Sequence, residues 1–140
     1  MGKMRTVLVL TTFGVAIPTL ACASDLSGMW TLEVQDLQHQ PQIAASIRFA
    51  DEPARSCMAG TWKSVVVESI STQEPDFFPI SGHLAYSISD GMLTLGRTEV
   101  CDGYLFLTGP LAPDQINGDY SVVSIGGSRQ LGAFTLRLSR

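Results

Sequence analysis

His39 and His83 are the only histidines in the chain, and no cysteine lies close to either in sequence. His39 lies in Gln38-His39-Gln40-Pro41-Gln42, a polar connection, and is expected as a solvated loop residue and a candidate for contact with a partner. His83 falls opposite an apolar stripe and is expected to be exposed. Zinc asks for three or four ligands at workable spacing, and no Cys/His cluster supplies them, so neither a metal nor a cofactor is expected. Asp51-Glu52 precede Pro53 and resemble a turn, while Glu99 and Asp102 flank Cys101 as a solvated rim. A serine nucleophile needs a base and a Gly-x-Ser-x-Gly elbow, which is absent. Gly126-Gly127-Ser128 lacks the lysine and the following helix of a phosphate loop. No residue is therefore assigned a catalytic role, and the chain is not expected to be an enzyme.

One connection carries the wrong chemistry for a loop. Glu74-Pro75-Asp76-Phe77-Phe78-Pro79-Ile80 places two phenylalanines between prolines. Phe77 and Phe78 either fold back to plug one end of the domain or form an exposed apolar patch for a protein or lipid. The second alternative makes them candidate binding residues.

The first residues set the address. Lys3 and Arg5 precede an apolar stretch from Val7 to Leu20, and no acid appears before Asp25. A basic start, a short apolar centre and small residues after it make the pattern of a secretory signal. The stretch is shorter than the roughly 20 apolar residues that span a bilayer. Ala21-Cys22-Ala23 favours cleavage before Ser24, giving a signal peptide over 1–23 and one domain over 24–140, with no transmembrane segment after processing. Leu20-Ala21-Cys22 also resembles part of a lipoprotein signal, in which Cys22 would carry the lipid. The expected location is periplasmic or secreted, with a Cys22-anchored lipoprotein as the alternative.

Processing removes Lys3 and Arg5, so 7 basic residues face 13 acidic ones and the net charge becomes −6. A nucleic-acid binder needs a basic patch or stripe, so that class is set aside. Loss or lipidation of Cys22 leaves Cys57 and Cys101 as the one possible pair, in a compartment where disulfides persist. Neither shows the Cys-x-x-Cys spacing or adjacent base of a reactive thiol, so a structural bond is expected.

From Gly28 onward the chain alternates with period two. Trp30, Leu32 and Val34 are interleaved with Thr31, Glu33 and Gln35. Ala45, Ile47 and Phe49, then Trp62 to Val67, then Leu84, Tyr86 and Ile88 continue the series. Asp90-Gly91 marks a tight hairpin. Strands around Leu93–Leu95, Tyr104–Thr108, Ile116–Val122 and Phe134–Leu138 follow, with Gly126-Gly127-Ser128 as another turn. About eight short strands joined by short turns predict an all-β fold, a single antiparallel meander that closes into a barrel, with an open sandwich as the alternative. Four times a glycine stands two residues before an aromatic: Gly28–Trp30, Gly60–Trp62, Gly118–Tyr120 and Gly132–Phe134. Glycine there allows a bend, which the aromatic covers. The inward set is expected to include Trp30, Phe49, Trp62, Tyr86, Tyr120 and Phe134.

Asp25-Leu26-Ser27-Gly28-Met29-Trp30 resembles the Gly-x-Trp opening of the calycin group, the lipocalin-like barrels and their relatives. Arg137 is placed like the basic residue that packs over that tryptophan in many members, where a guanidinium stacked on the indole shuts one barrel end. The resemblance covers about ten residues at the two termini and implies a lipocalin-like barrel in which Trp30 and Arg137 are structural. The group includes small periplasmic inhibitors of secreted proteases with one disulfide.

Two functions fit. In one the chain is an exported, non-catalytic binding or interaction protein that meets an envelope or secreted protein through its loops. In the other it carries a small apolar ligand in the barrel mouth. Six large aromatics in so small a barrel leave little room, which favours the first.

Overall fold

The computed structural model describes residues 25–101 and 103–140. The signal peptide expected over 1–23, the site of cleavage and Cys22 lie outside the described residues. Eight strands follow one another: β1 (Met29–Asp36), β2 (Pro41–Pro53), β3 (Lys63–Gln73), β4 (Ala85–Ser89), β5 (Met92–Gly96), β6 (Tyr104–Pro110), β7 (Gln115–Ser124) and β8 (Gly127–Leu138). Each pairs antiparallel with the next, and β8 returns to β1, so the meander closes into a barrel. No helix among the described residues is long and apolar enough to cross a membrane.

The alternation seen in the sequence becomes the wall of this barrel, because successive side chains on a strand point to opposite faces. Trp30, Leu32 and Val34 of β1 are completely buried, as are Ile43 and Ile47 of β2, while Thr31 and Arg48 face solvent. At the closing seam Trp30 lies opposite Leu138 and Val34 opposite Phe134. The Trp30 indole nitrogen donates to the carbonyl of Leu26 at 3.1 Å, drawing the segment before β1 under one end of the barrel.

Turn chemistry sets the register. Asp90 and Gly91 adopt φ of 51° and 73°, both positive as a type I′ hairpin requires, and join Ser89 to Met92. The β7–β8 turn falls one residue earlier than the sequence indicates. Ser124 pairs with Gly127, so Ile125 and Gly126 form the tip, and Gly127 takes its positive φ as the first residue of β8. Gly118 answers a different need. A Cβ there would run into the Thr108 carbonyl oxygen and the ring of Phe134, which lies opposite it on β8 and covers the gap.

Two placements differ from expectation. Trp62 was expected inside but lies on the outer face. It stands three positions from the inward Val65, an odd number, so the two side chains point to opposite sides of the wall. Arg137 was expected over the Trp30 indole. It is exposed on the outer face of β8, opposite Thr31, with the inward Leu136 and half-buried Leu138 on either side. The end of the barrel beside Trp30 is closed instead by Leu26, whose side chain belongs to the core.

Candidate functional site

The inside of the barrel is occupied by its own side chains. Phe49 meets Trp30 edge-on at 6.1 Å and Tyr86 at 4.9 Å between ring centroids. From the other end the connection between β3 and β4 inserts Phe78, which is 1% exposed, together with Ile80. Phe77 and Phe78 both pack edge-on against Tyr120, at 5.0 and 5.6 Å. The Tyr120 hydroxyl donates to the Phe77 carbonyl. Phe77 and Phe78 are therefore a plug and not an exposed patch: prolines on both sides turn the segment inward, where the aromatic surface is removed from water.

Burial leaves its mark on the two inner tyrosines. Desolvation pushes the Tyr120 hydroxyl well above the ordinary tyrosine range, and it raises Tyr86 as well, whose hydroxyl donates to the Ala50 carbonyl at 2.9 Å. A group whose folded pKa lies above its unfolded value holds its full stabilisation below the unfolded pKa and loses it as pH rises through the folded value. The domain is accordingly expected to lose stability above about pH 10. The loss should approach about 1.4 kcal/mol per pH unit for Tyr120, with Tyr86 adding to it in the same direction. Urea melts at pH 8 and pH 11 measure this, and Tyr120→Phe should flatten the slope. An equal slope in the variant would mean that Tyr120 ionises freely in the native protein.

The sequence candidates are not brought together. His39 occupies the β1–β2 turn with φ of 62°, its amide bonded to the Asp36 carbonyl at 3.0 Å, and its side chain faces solvent. Asp36 organises this turn: its carboxylate accepts from the amides of Gln38 and Gln40, both at 2.9 Å, and the bond from Gln40 chiefly holds its pKa below the ordinary value. His83 sits just before β4 with its side chain 88% exposed, and its Nδ1 is 3.2 Å from a Glu99 oxygen. That imidazole–carboxylate pair is half of a hydrolase arrangement. Among the described residues no hydroxyl hydrogen-bonds its other nitrogen.

A site emerges on the outside of the wall. Trp62, Ala85 and Phe106 form a second buried cluster, separate from the barrel core, with Ala54, Met58, Tyr104 and Val123 packed on it. Three rings stack in a row: Trp62 on Phe106 at 5.9 Å and Phe106 on Tyr104 at 5.4 Å, with planes 15° and 4° apart. Residues 54–62, between β2 and β3, fold back over this row as a strap. Backbone bonds from Ala54 to Trp62 and from Cys57 to Thr98, with the Trp62 indole donating to Ala59, fix its course. Cys57 is joined to Cys101, 44 residues on, with Cα atoms 5.5 Å apart.

The open end of the aromatic row is a cleft of about 240 Å³ lined by Met58, Cys101, Gly103, Tyr104, Val123, Ser124 and Ile125. Ile125, at the tip of the β7–β8 hairpin, is fully exposed, and Val100 nearby in the β5–β6 connection is 41% exposed. The cleft can take an apolar side chain against Tyr104 and Val123, and the exposed Ile125 can enter a pocket on another protein. Sequence reading passed over these residues, although a signal was present. Tyr104 and Phe106 alternate with Leu105 and Leu107, so β6 is apolar on both faces and must be covered on both. Ile125 is the apolar residue inside a Ser/Gly turn.

Removing the bond with Cys57→Ser and Cys101→Ser together should cost roughly 3–4 kcal/mol for a closed loop of this length. Chemical denaturation with and without reductant measures it. A loss below about 1 kcal/mol would show that the strap is held by packing alone.

Compared with models of protein families, with curated proteins and with solved structures, the chain matches none.

Proposed function

We propose that this chain is an exported, non-catalytic interaction protein of the cell envelope that binds a protein partner through its loops. The contact surface in this reading is the outer cleft at Tyr104, Val123 and Ile125. The observation that carries it is the distribution of apolar surface. The barrel interior is filled by Phe78, Tyr120 and their neighbours, while Ile125 at a hairpin tip and Val100 beside the disulfide-bonded Cys101 are left in water. Persistent disulfides belong to oxidising compartments, which supports export to the periplasm or beyond. A protein that leaves an apolar side chain in solvent at a hairpin tip gains nothing in stability from doing so, whereas an interface uses it as an anchor. The competing function, carriage of a small apolar ligand, would need the space that the Phe77–Phe78 plug takes up.

The test combines two measurements on protein recovered from its own cell envelope. Native mass spectrometry is expected to find a bare chain beginning at Ser24, two hydrogen atoms lighter than its reduced form. A photo-crosslinking residue at position 125 is expected to give one defined protein adduct that Val123→Asp abolishes, while the same probe at position 137 gives none. A small-molecule mass that disappears on denaturation, with no adduct at 125, would replace this reading by the carrier.

A further inference from the structure

The weakest seam of the barrel is the ladder between β3 and β4, which contains only Lys63↔Tyr86 and Ser64↔Ala85. One further backbone bond, from the Val65 amide to the Leu84 carbonyl at 3.0 Å, extends it. Beyond that point β3 continues to Gln73 with β2 on one side only. The connection 74–84 runs past the other side without pairing. Its backbone amides bond elsewhere: Glu74 to the Gln42 carbonyl, Phe77 to Glu74, Ile80 to Phe78 and Gly82 to Pro79. A single side-chain bond, Gln73 to Ser81 at 2.6 Å, crosses the gap. Among the described residues, 66–73 therefore keep a free strand edge inside an otherwise closed barrel, and the gap beside it is a cleft of about 430 Å³. Val67 and Ile70 on one side and Ile80 and Leu84 on the other give it apolar walls, with Ser81 and His83 at the rim.

We propose that this edge is a docking site for an extended segment of another polypeptide, which adds to β3 as a strand. A row of unpaired amides and carbonyls is matched along its length only by extended backbone, at the usual spacing of about 4.8 Å. Exposed edges are ordinarily blocked by charge or proline. Here Ser69-Ile70-Ser71-Thr72-Gln73 carries neither, and Glu68 is neutralised by Arg48 at 3.0 Å. Register shifts in the β2–β3 ladder bend the edge, which favours a short added strand over a long one. Immediately after the edge come Glu74 and Asp76, both exposed and with no cation within ion-pair distance among the described residues. The segment that fits is short and β-branched, with a lysine or arginine beyond its extended core. The cleft lies apart from the Ile125 surface and does not depend on it.

The probe is the acetylated, amidated peptide Lys-Val-Thr-Val-Thr-Lys, added to the oxidised domain while amide exchange and chemical shifts are followed residue by residue. The edge-facing amides within residues 66–73, those not already bonded to β2, are expected to become at least ten-fold more protected. A peptide N-methylated at alternate residues should bind at least ten-fold more weakly, because it cannot complete the ladder. Glu74→Gln with Asp76→Asn should weaken binding about three-fold at low salt and leave it unchanged at high salt. Equal binding of the N-methylated peptide, shifts confined to Tyr104 and Ile125, or no response at millimolar peptide would overturn the proposal. Protection of 66–73 that grows with protein concentration in the absence of peptide would overturn it too, by making a second copy the occupant.

Discussion

Trp30→Ala is expected to destabilise the domain by about 4–5 kcal/mol and to lower its Tm on the order of 15 °C. The indole is completely buried on β1, the strand whose two neighbours are β2 and the returning β8. Truncation removes the edge-on contact with Phe49, leaves a cavity at the closing seam, and strands the Leu26 carbonyl that the indole nitrogen satisfies. The lost transfer energy, the cavity and the orphaned acceptor all act in one direction. Guanidinium denaturation of the oxidised protein measures the effect. Arg137→Ala, by contrast, should change stability by less than about 0.5 kcal/mol, because its side chain lies on the outer face. A large loss on removing Arg137 and a small one on removing Trp30 would contradict the closure described above.

Changing Phe77 and Phe78 together to Ser should cost about 5 kcal/mol, with most of it at Phe78. Phe78 is 1% exposed, whereas Phe77 is half-buried, so Phe77→Ser alone should cost no more than about 2 kcal/mol. The substitution opens one barrel end around Tyr120, and two hydroxyls enter a space lined by Ile80 and the aromatic rings. Near-ultraviolet circular dichroism should report looser packing of the tyrosines even where the fold survives. Full stability in the double variant would return these residues to the role of an exposed patch and reopen the barrel mouth to a ligand.

The strands were legible in the sequence because a half-buried strand writes its two faces in alternating residues, as at Trp30-Thr31-Leu32-Glu33-Val34. The Asp90-Gly91 turn was legible because positive φ at two successive positions restricts the residue types. Legibility failed where the chain departs from the one-sided strand. Trp62 stands just before β3 and belongs to the outer cluster, and only its odd spacing from Val65 marks the change of face. Arg137 shows the limit of a terminal likeness: its parity on β8 follows from Leu136 and Leu138, and parity, not motif position, decides which way it points. The apolar content of Glu74–Ile80 was visible, yet burial and display use the same residues, and only tertiary packing separates them. The outer cleft was the least legible feature, since Met58, Tyr104 and Ile125 lie far apart in sequence and meet through the strap.

The strap has one more consequence. Cys57 stands between β2 and β3 and Cys101 between β5 and β6, so their bond reaches across the outside of β3, β4 and β5. It therefore bridges the two-pair ladder where the barrel is most easily unzipped. Local opening of that seam would swing out the β4–β5 hairpin and expose backbone to proteases, and the covalent tie restricts it. A copy of this protein held back in a reducing compartment would lack the tie at its softest point. Oxidation of this one cysteine pair thus decides how firmly the softest seam of the wall is held, and the reduced chain is the more open to digestion.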